Sequence, residues 1–72
     1  MVYQAKPELK EWRQDYGSLR QVAKDMGIHY SYLSDVETGK RHIKRDTALR
    51  ICEYFGCDVK HLFIFKGGNN NV

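Results

Sequence analysis

Apolar residues recur along the chain at helical spacing, in short bursts separated by glycines. Leu9, Trp12 and Tyr16 fall at i, i+3, i+7 and predict a first helix from about Pro7 to Tyr16. Pro7 stands in its first turn, Glu8 and Glu11 follow near the partial positive end of the helix, and Gly17 stops it. Leu19, Val22, Ala23 and Met26 repeat the pattern at i, i+3, i+4, i+7, with the Ser18 hydroxyl as N-cap and Gly27 as terminator. After a turn through Ile28 and His29, a third helix from Tyr30 to Glu37 has only Leu33 and Val36 on its apolar side. Its other face carries Tyr30, Ser31, Ser34 and Asp35, hydrogen-bonding side chains with no core to enter, and Gly39 ends it. Ala48, Ile51, Cys52 and Phe55, with Leu49 adjacent, place a fourth helix within about Arg45 to Phe55, closed by Gly56. Asp58 is a suitable N-cap for a last short helix through Val59, Leu62 and Phe63.

The pattern is all-α: five short helices in one domain over residues 1–65. The tail 66–72, with Gly67, Gly68 and three asparagines, has no packing face and is expected to be mobile. A chain of 72 residues organises one small core, which leaves little surface for a catalytic cleft and excludes most large enzyme folds. The 42% hydrophobic and 29% charged fractions exclude disorder across the whole chain. Two cysteines, Cys52 and Cys57, make neither a disulfide framework nor a four-ligand zinc site. No stretch reads as a signal peptide and no apolar run approaches the ~20 residues that span a bilayer, so a cytoplasmic protein with reduced thiols is expected. A phosphate-binding glycine loop, paired carboxylates and an oriented Cys–His pair are all lacking, so no enzymatic activity, cofactor, metal or small-molecule ligand is expected.

Charge changes the picture by its placement. The net charge is only +3, but Lys40, Arg41, Lys44, Arg45 and Arg50 stand against the single acid Asp46, a local excess of four positive charges on a chain otherwise at −1. Such a patch draws a polyanion or an acidic protein surface to one place. It directly follows the third helix.

The stretch from Ala23 to Glu37 reads as helix, tight glycine turn, helix. Ala23 is small where the two helices cross, Gly27 takes a left-handed conformation without a Cβ penalty, and Ile28, Leu33 and Val36 fill the angle. The spacing alone fits both a DNA-binding helix-turn-helix and a plain αα-hairpin.

The run from Ser18 to Ile28, then Ser31 to Arg41 with Glu37-Thr38-Gly39-Lys40-Arg41 at its end, then Ala48 to Leu62, resembles the phage-repressor and Cro-like (XRE-type) helix-turn-helix family. The likeness covers roughly residues 9 to 65. It implies a compact five-helix repressor-like domain whose second and third helices form the motif, with the third in the DNA major groove. Tyr30, Ser31, Ser34 and Asp35 match the family's base-reading positions. Ser31 and Ser34 can donate or accept, Asp35 can accept from a cytosine amino group, and Tyr30 can pack on a thymine methyl or reach a phosphate. Burial against the second helix is the alternative for Tyr30 and Tyr32; for Asp35 the alternatives are repelling phosphate from a wrong register and pairing with a nearby base such as Arg41. Backbone contacts are implied for Ser18, Arg20 and His29 on one side and for Lys40, Arg41, His42, Lys44 and Arg45 on the other. Leu19 stands where the family usually has glutamine, and Arg45 where it often has an apolar residue. Arg13 resembles the family's first-helix arginine that pairs with Glu37, although the connection to the second helix is one residue shorter; backbone N–H groups or Lys40 are the other candidate partners of Glu37.

The resemblance implies a transcriptional regulator of double-stranded DNA, a small repressor or autoregulator on an inverted-repeat operator. Phe63, Ile64 and Phe65 exceed what a short last helix needs, and are read as the surface of a symmetric homodimer or as core completion. A controller protein of a restriction-modification system, with RNA polymerase as partner, is one variant. An antitoxin that binds a cognate toxin through the basic segment is the rival class.

Overall fold

The structure, a computed structural model, describes residues 2–67. Five helices form where the apolar spacing places them: α1 (Pro7–Tyr16), α2 (Leu19–Met26), α3 (Tyr30–Glu37), α4 (Arg45–Phe55) and α5 (Val59–Leu62). The Ser18 hydroxyl caps α2 by accepting from the Gln21 N–H at 3.2 Å. At the other end of α2, Gly27 is left-handed (φ 76°), which lets its own N–H reach the Lys24 carbonyl at 3.0 Å and the Ile28 N–H reach the Ala23 carbonyl at 2.9 Å. Two carbonyls left over by the helix are thereby satisfied, and the chain is turned sharply into α3. Asp58 occupies the N-cap position of α5, but its side chain makes no cap hydrogen bond.

The expectation of an all-α domain is corrected. Val2–Ala5 forms a strand, β1, that lies between β2 (Ile43–Lys44) and β3 (Phe63–Phe65) in an antiparallel sheet of order β2-β1-β3. Val2 faces Lys44 and Tyr3 faces Ile43 on one side; Tyr3, Gln4 and Ala5 face Phe65, Ile64 and Phe63 on the other. The last helix accordingly stops at Leu62, and Phe63 is extended (φ −135°, ψ 152°). Strands of two to four residues satisfy their backbone groups against distant segments, which no local spacing of apolar residues announces. Lys66 and Gly67 continue the ladder beside Val2, through 2.9 Å bonds from Lys66 N–H to the Val2 carbonyl and from Val2 N–H to the Gly67 carbonyl. The rest of the expected tail, residues 68–72, lies outside the described residues.

One core joins helices and sheet. Leu9, Val22, Leu33, Val36, Ala48 and Leu62 are fully buried, and the strands add Ile43 and Phe63 at 3% and 2% exposure. Two residues of the predicted apolar stripes are exposed instead, Tyr16 and Leu49. Tyr16 lies edge-on to Phe55, with ring centroids 4.9 Å apart at 90°, so it roofs the core rather than entering it. The inward place on α1 goes to Arg13, which is 8% exposed.

Candidate nucleic-acid interface

The helix-turn-helix geometry follows from what α2 and α3 bury. Ala23, 1% exposed, has no side chain beyond Cβ to hold the helices apart, and Leu33 and Val36 direct the inner face of α3 into the core. That fixes the outward face. Tyr30 and Ser31 are exposed there, and Ser34 and Asp35 are half-buried. Asp35 makes no side-chain ion pair or hydrogen bond among the described residues; its carbonyl accepts from the Arg41 N–H at 3.2 Å. Arg41 does not pair with it, and instead lies over the Tyr32 ring at 5.1 Å from the centroid.

The start of α3 is tightly organised. His29 occupies the N-cap position and its Nδ1 accepts from the Ser31 N–H at 3.1 Å, while the Ser31 hydroxyl lies 2.7 Å from the same nitrogen. The His29 ring stacks on Tyr30 at 4.7 Å, and the Arg20 guanidinium, from α2, lies 4.2 Å from the Tyr30 centroid. Tyr30 is therefore held against α2 through Arg20 while remaining 37% exposed. Ser18 and Arg20 are both exposed near the start of α2.

Lys40, Arg41, His42, Lys44 and Arg45 are all exposed, around one buried residue, Ile43. Ile43 is the signal that sequence reasoning passed over: one β-branched apolar residue within a basic run. It anchors the segment in the core while the flanking cations face outward, and β2 pairs it to β1. Asp25 is a second such residue. It accepts from Gln21 Nε2 at 2.9 Å and from the Tyr54 hydroxyl at 3.0 Å, and so fastens α2 to α4; nothing in the local sequence pairs it with a tyrosine twenty-nine residues later.

Arg13 and Glu37 are brought together. Arg13 Nε donates to Glu37 Oε2 at 2.8 Å and Nη2 to Oε1 at 3.0 Å, a two-pronged pair whose side chains are 10% and 3% exposed. Nη1 also donates to the Gly17 carbonyl at 3.5 Å. The hydrogen bonds from Arg13 to Glu37 push the guanidinium pKa up from its ordinary value. The C-terminal end of α3 is thus tied to α1 by charge, as its N-terminal end is tied to α2 by stacking. Lys40 has no hand in it.

The three residues of the proposed dimer surface separate. Phe63 points into the chain's own core, which corrects its assignment to an outer surface, while Ile64 and Phe65 are 46% and 53% exposed. Both lie on β3, at an edge of the sheet. Among the described residues no group of three or more His, Cys, Asp or Glu is placed to hold a metal ion, and no helix is long and apolar enough to cross a membrane.

Compared with protein families, the chain matches the family described as helix-turn-helix over residues 9–62. The matched span runs from the first buried leucine of α1 to the end of α5, so α1 to α5 fall almost wholly inside it and β1 and β3 outside. No curated protein and no solved structure matches the chain.

Proposed function

The chain belongs to the Cro-like (XRE-type) helix-turn-helix family, a non-enzymatic family of DNA-binding domains, and from that premise we propose that it regulates transcription by reading an inverted-repeat operator as a symmetric dimer. The observation that carries the reading is the placement of α3. Its inner face is buried, its outer face offers Tyr30, Ser31, Ser34 and Asp35, and the exposed cations of residues 40–45 follow it directly. Eight residues of helix span ~12 Å, which suits a major groove ~12 Å wide.

In this reading the four outward residues of α3 meet base edges. Ser18, Arg20 and His29 contact one phosphate backbone, and Lys40, Arg41, His42, Lys44 and Arg45 the other. The Arg13–Glu37 pair positions α3 and touches no DNA. The two-fold axis that an inverted repeat requires passes beside β3, where Ile64 and Phe65 meet their copies in a partner chain. A chain with this domain alone would be governed by its own concentration and by dimerisation.

Selection from random-sequence DNA with the purified protein tests the reading. A palindrome with half-sites about one helical turn apart is the expected result. An absence of enriched sequence, with binding that vanishes at moderate salt, would favour a protein-interaction role such as that of an antitoxin. Sedimentation that shows only monomer, at high protein concentration and on the selected DNA, removes the dimer.

A further inference from the structure

The hydrogen bonds at the start of α3 fix where two protons lie. A backbone N–H can only donate, so the contact from Ser31 N–H to His29 Nδ1 at 3.1 Å makes that nitrogen an acceptor and leaves the ring proton of the neutral imidazole on Nε2. The Ser31 hydroxyl lies 2.7 Å from the same nitrogen. Facing an acceptor, it has to donate. A serine normally offers DNA both a donor and an acceptor, but here the donor is turned inward and only oxygen lone pairs remain for an outside partner.

We infer that His29 and Ser31 form a one-directional hydrogen-bond relay that makes Ser31 an acceptor-only reader of the exocyclic amino group of adenine or cytosine. The inference rests on the proposal that α3 lies in the major groove, and deepens it. An acceptor cannot bind a phosphate oxygen, which also only accepts, so Ser31 is assigned to a base edge rather than to the backbone. Within the groove, N6 of adenine and N4 of cytosine donate, whereas O6 and N7 of guanine and O4 of thymine accept. Ser31 therefore separates adenine or cytosine from guanine or thymine on the strand it faces. At the other end of the relay Nε2–H is a donor on an exposed residue, matched to a phosphate oxygen. All its bonds then point one way: base N–H to Oγ, Oγ–H to Nδ1, Nε2–H to phosphate. Such chains polarise each bond in favour of the next.

Two measurements test this, one of them without DNA. In 15N-labelled free protein at mildly alkaline pH, the His29 ring, assigned by its loss in His29→Gly, should show a bare Nδ1 and a protonated Nε2. A proton on Nδ1 overturns the relay. Random-sequence selection is then run on the parent protein, Ser31→Ala and His29→Gly, with folding checked by circular dichroism. Glycine is tolerated at an N-cap and removes the acceptor that holds the serine proton. The parent should show one position where adenine or cytosine is favoured roughly fivefold over guanine or thymine, the worth of about one hydrogen bond. Ser31→Ala should flatten that position below about twofold, and His29→Gly should admit all four bases there, because the freed hydroxyl can donate again. Guanine or thymine at that position in the parent, or a Ser31→Ala preference identical to the parent's, overturns the inference while DNA reading stands. No enriched sequence from the parent, with the expected tautomer present, overturns the placement of α3 on DNA and the base assignment with it.

Discussion

Arg13 is a cation where an apolar side chain would serve packing better, facing inward from α1 to meet Glu37. Its position is four after Leu9, so the face of α1 that is buried runs Leu9–Arg13 rather than through Tyr16. The desolvation of both ions is offset only while they hold each other. Arg13→Ala leaves a nearly buried carboxylate alone and is expected to lower the unfolding free energy by about 3 kcal/mol in urea titration. Replacing both, as Arg13→Met with Glu37→Leu, should recover more than half of that loss. Cys52 makes a different prediction. Burial, and then the neighbouring Cys57, push its pKa from 9.0 up to about 12. The folded state thus binds the thiol proton more tightly than the unfolded state does. The stabilising contribution is complete below the unfolded pKa and is lost as pH rises from about 9 through about 12. Alkylation with iodoacetamide at neutral pH should accordingly spare Cys52 in the folded protein and modify it once urea is added.

At the scale of elements, the turn between α2 and α3 depends on a conformation more than on space. A Cβ on Gly27 would have no atom within 4 Å, yet the residue sits at φ +76°. Gly27→Ala should therefore cost about 1 kcal/mol, measured as a shift of the thermal or urea midpoint, with no change in core packing. All five helices were legible in the sequence, because each carries its own apolar spacing and the first four their own stop: Gly17, Gly27, Gly39 and Gly56 mark their ends or lie just beyond them, whereas nothing in the sequence ends the fifth before Phe63. The sheet was not. Val2–Ala5 is too short to show an alternation, and Ile43 and Phe63 read equally well as loop and helix residues until their distant partner is known. For the same reason the sequence leaves Phe63 between dimer surface and core, since a run of three apolar residues does not say which of them turns inward. The outward residues of α3 were legible from their polarity, but the contacts among them were not. That Ser31 bonds to His29, and Arg20 covers Tyr30, depends on rotamers and on the crossing of two helices.

For the molecule as a whole, charge and shape divide the work of binding. Lys44 is exposed on a strand whose backbone is paired and whose neighbour Ile43 is buried, so its side chain can be removed without loosening the segment. Lys44→Ala should weaken binding to all sequences alike and reduce the slope of log affinity against log salt by about one, as read by titrations at several salt concentrations. An unchanged slope would place Lys44 off the phosphate backbone.

The middle position of β1 also bears on the order in which the chain is made. It is made before either of its partners: β2 follows only after three helices, and β3 only after two more. The strand that steadies the basic segment is therefore itself fully held only when β3 arrives. A nascent chain halted just short of Phe63 would already contain all five helices, including all of α3, and still lack one of the two partners of β1, the strand that pairs with Lys44. The support of the basic segment is in this sense completed by a strand far along the chain from it.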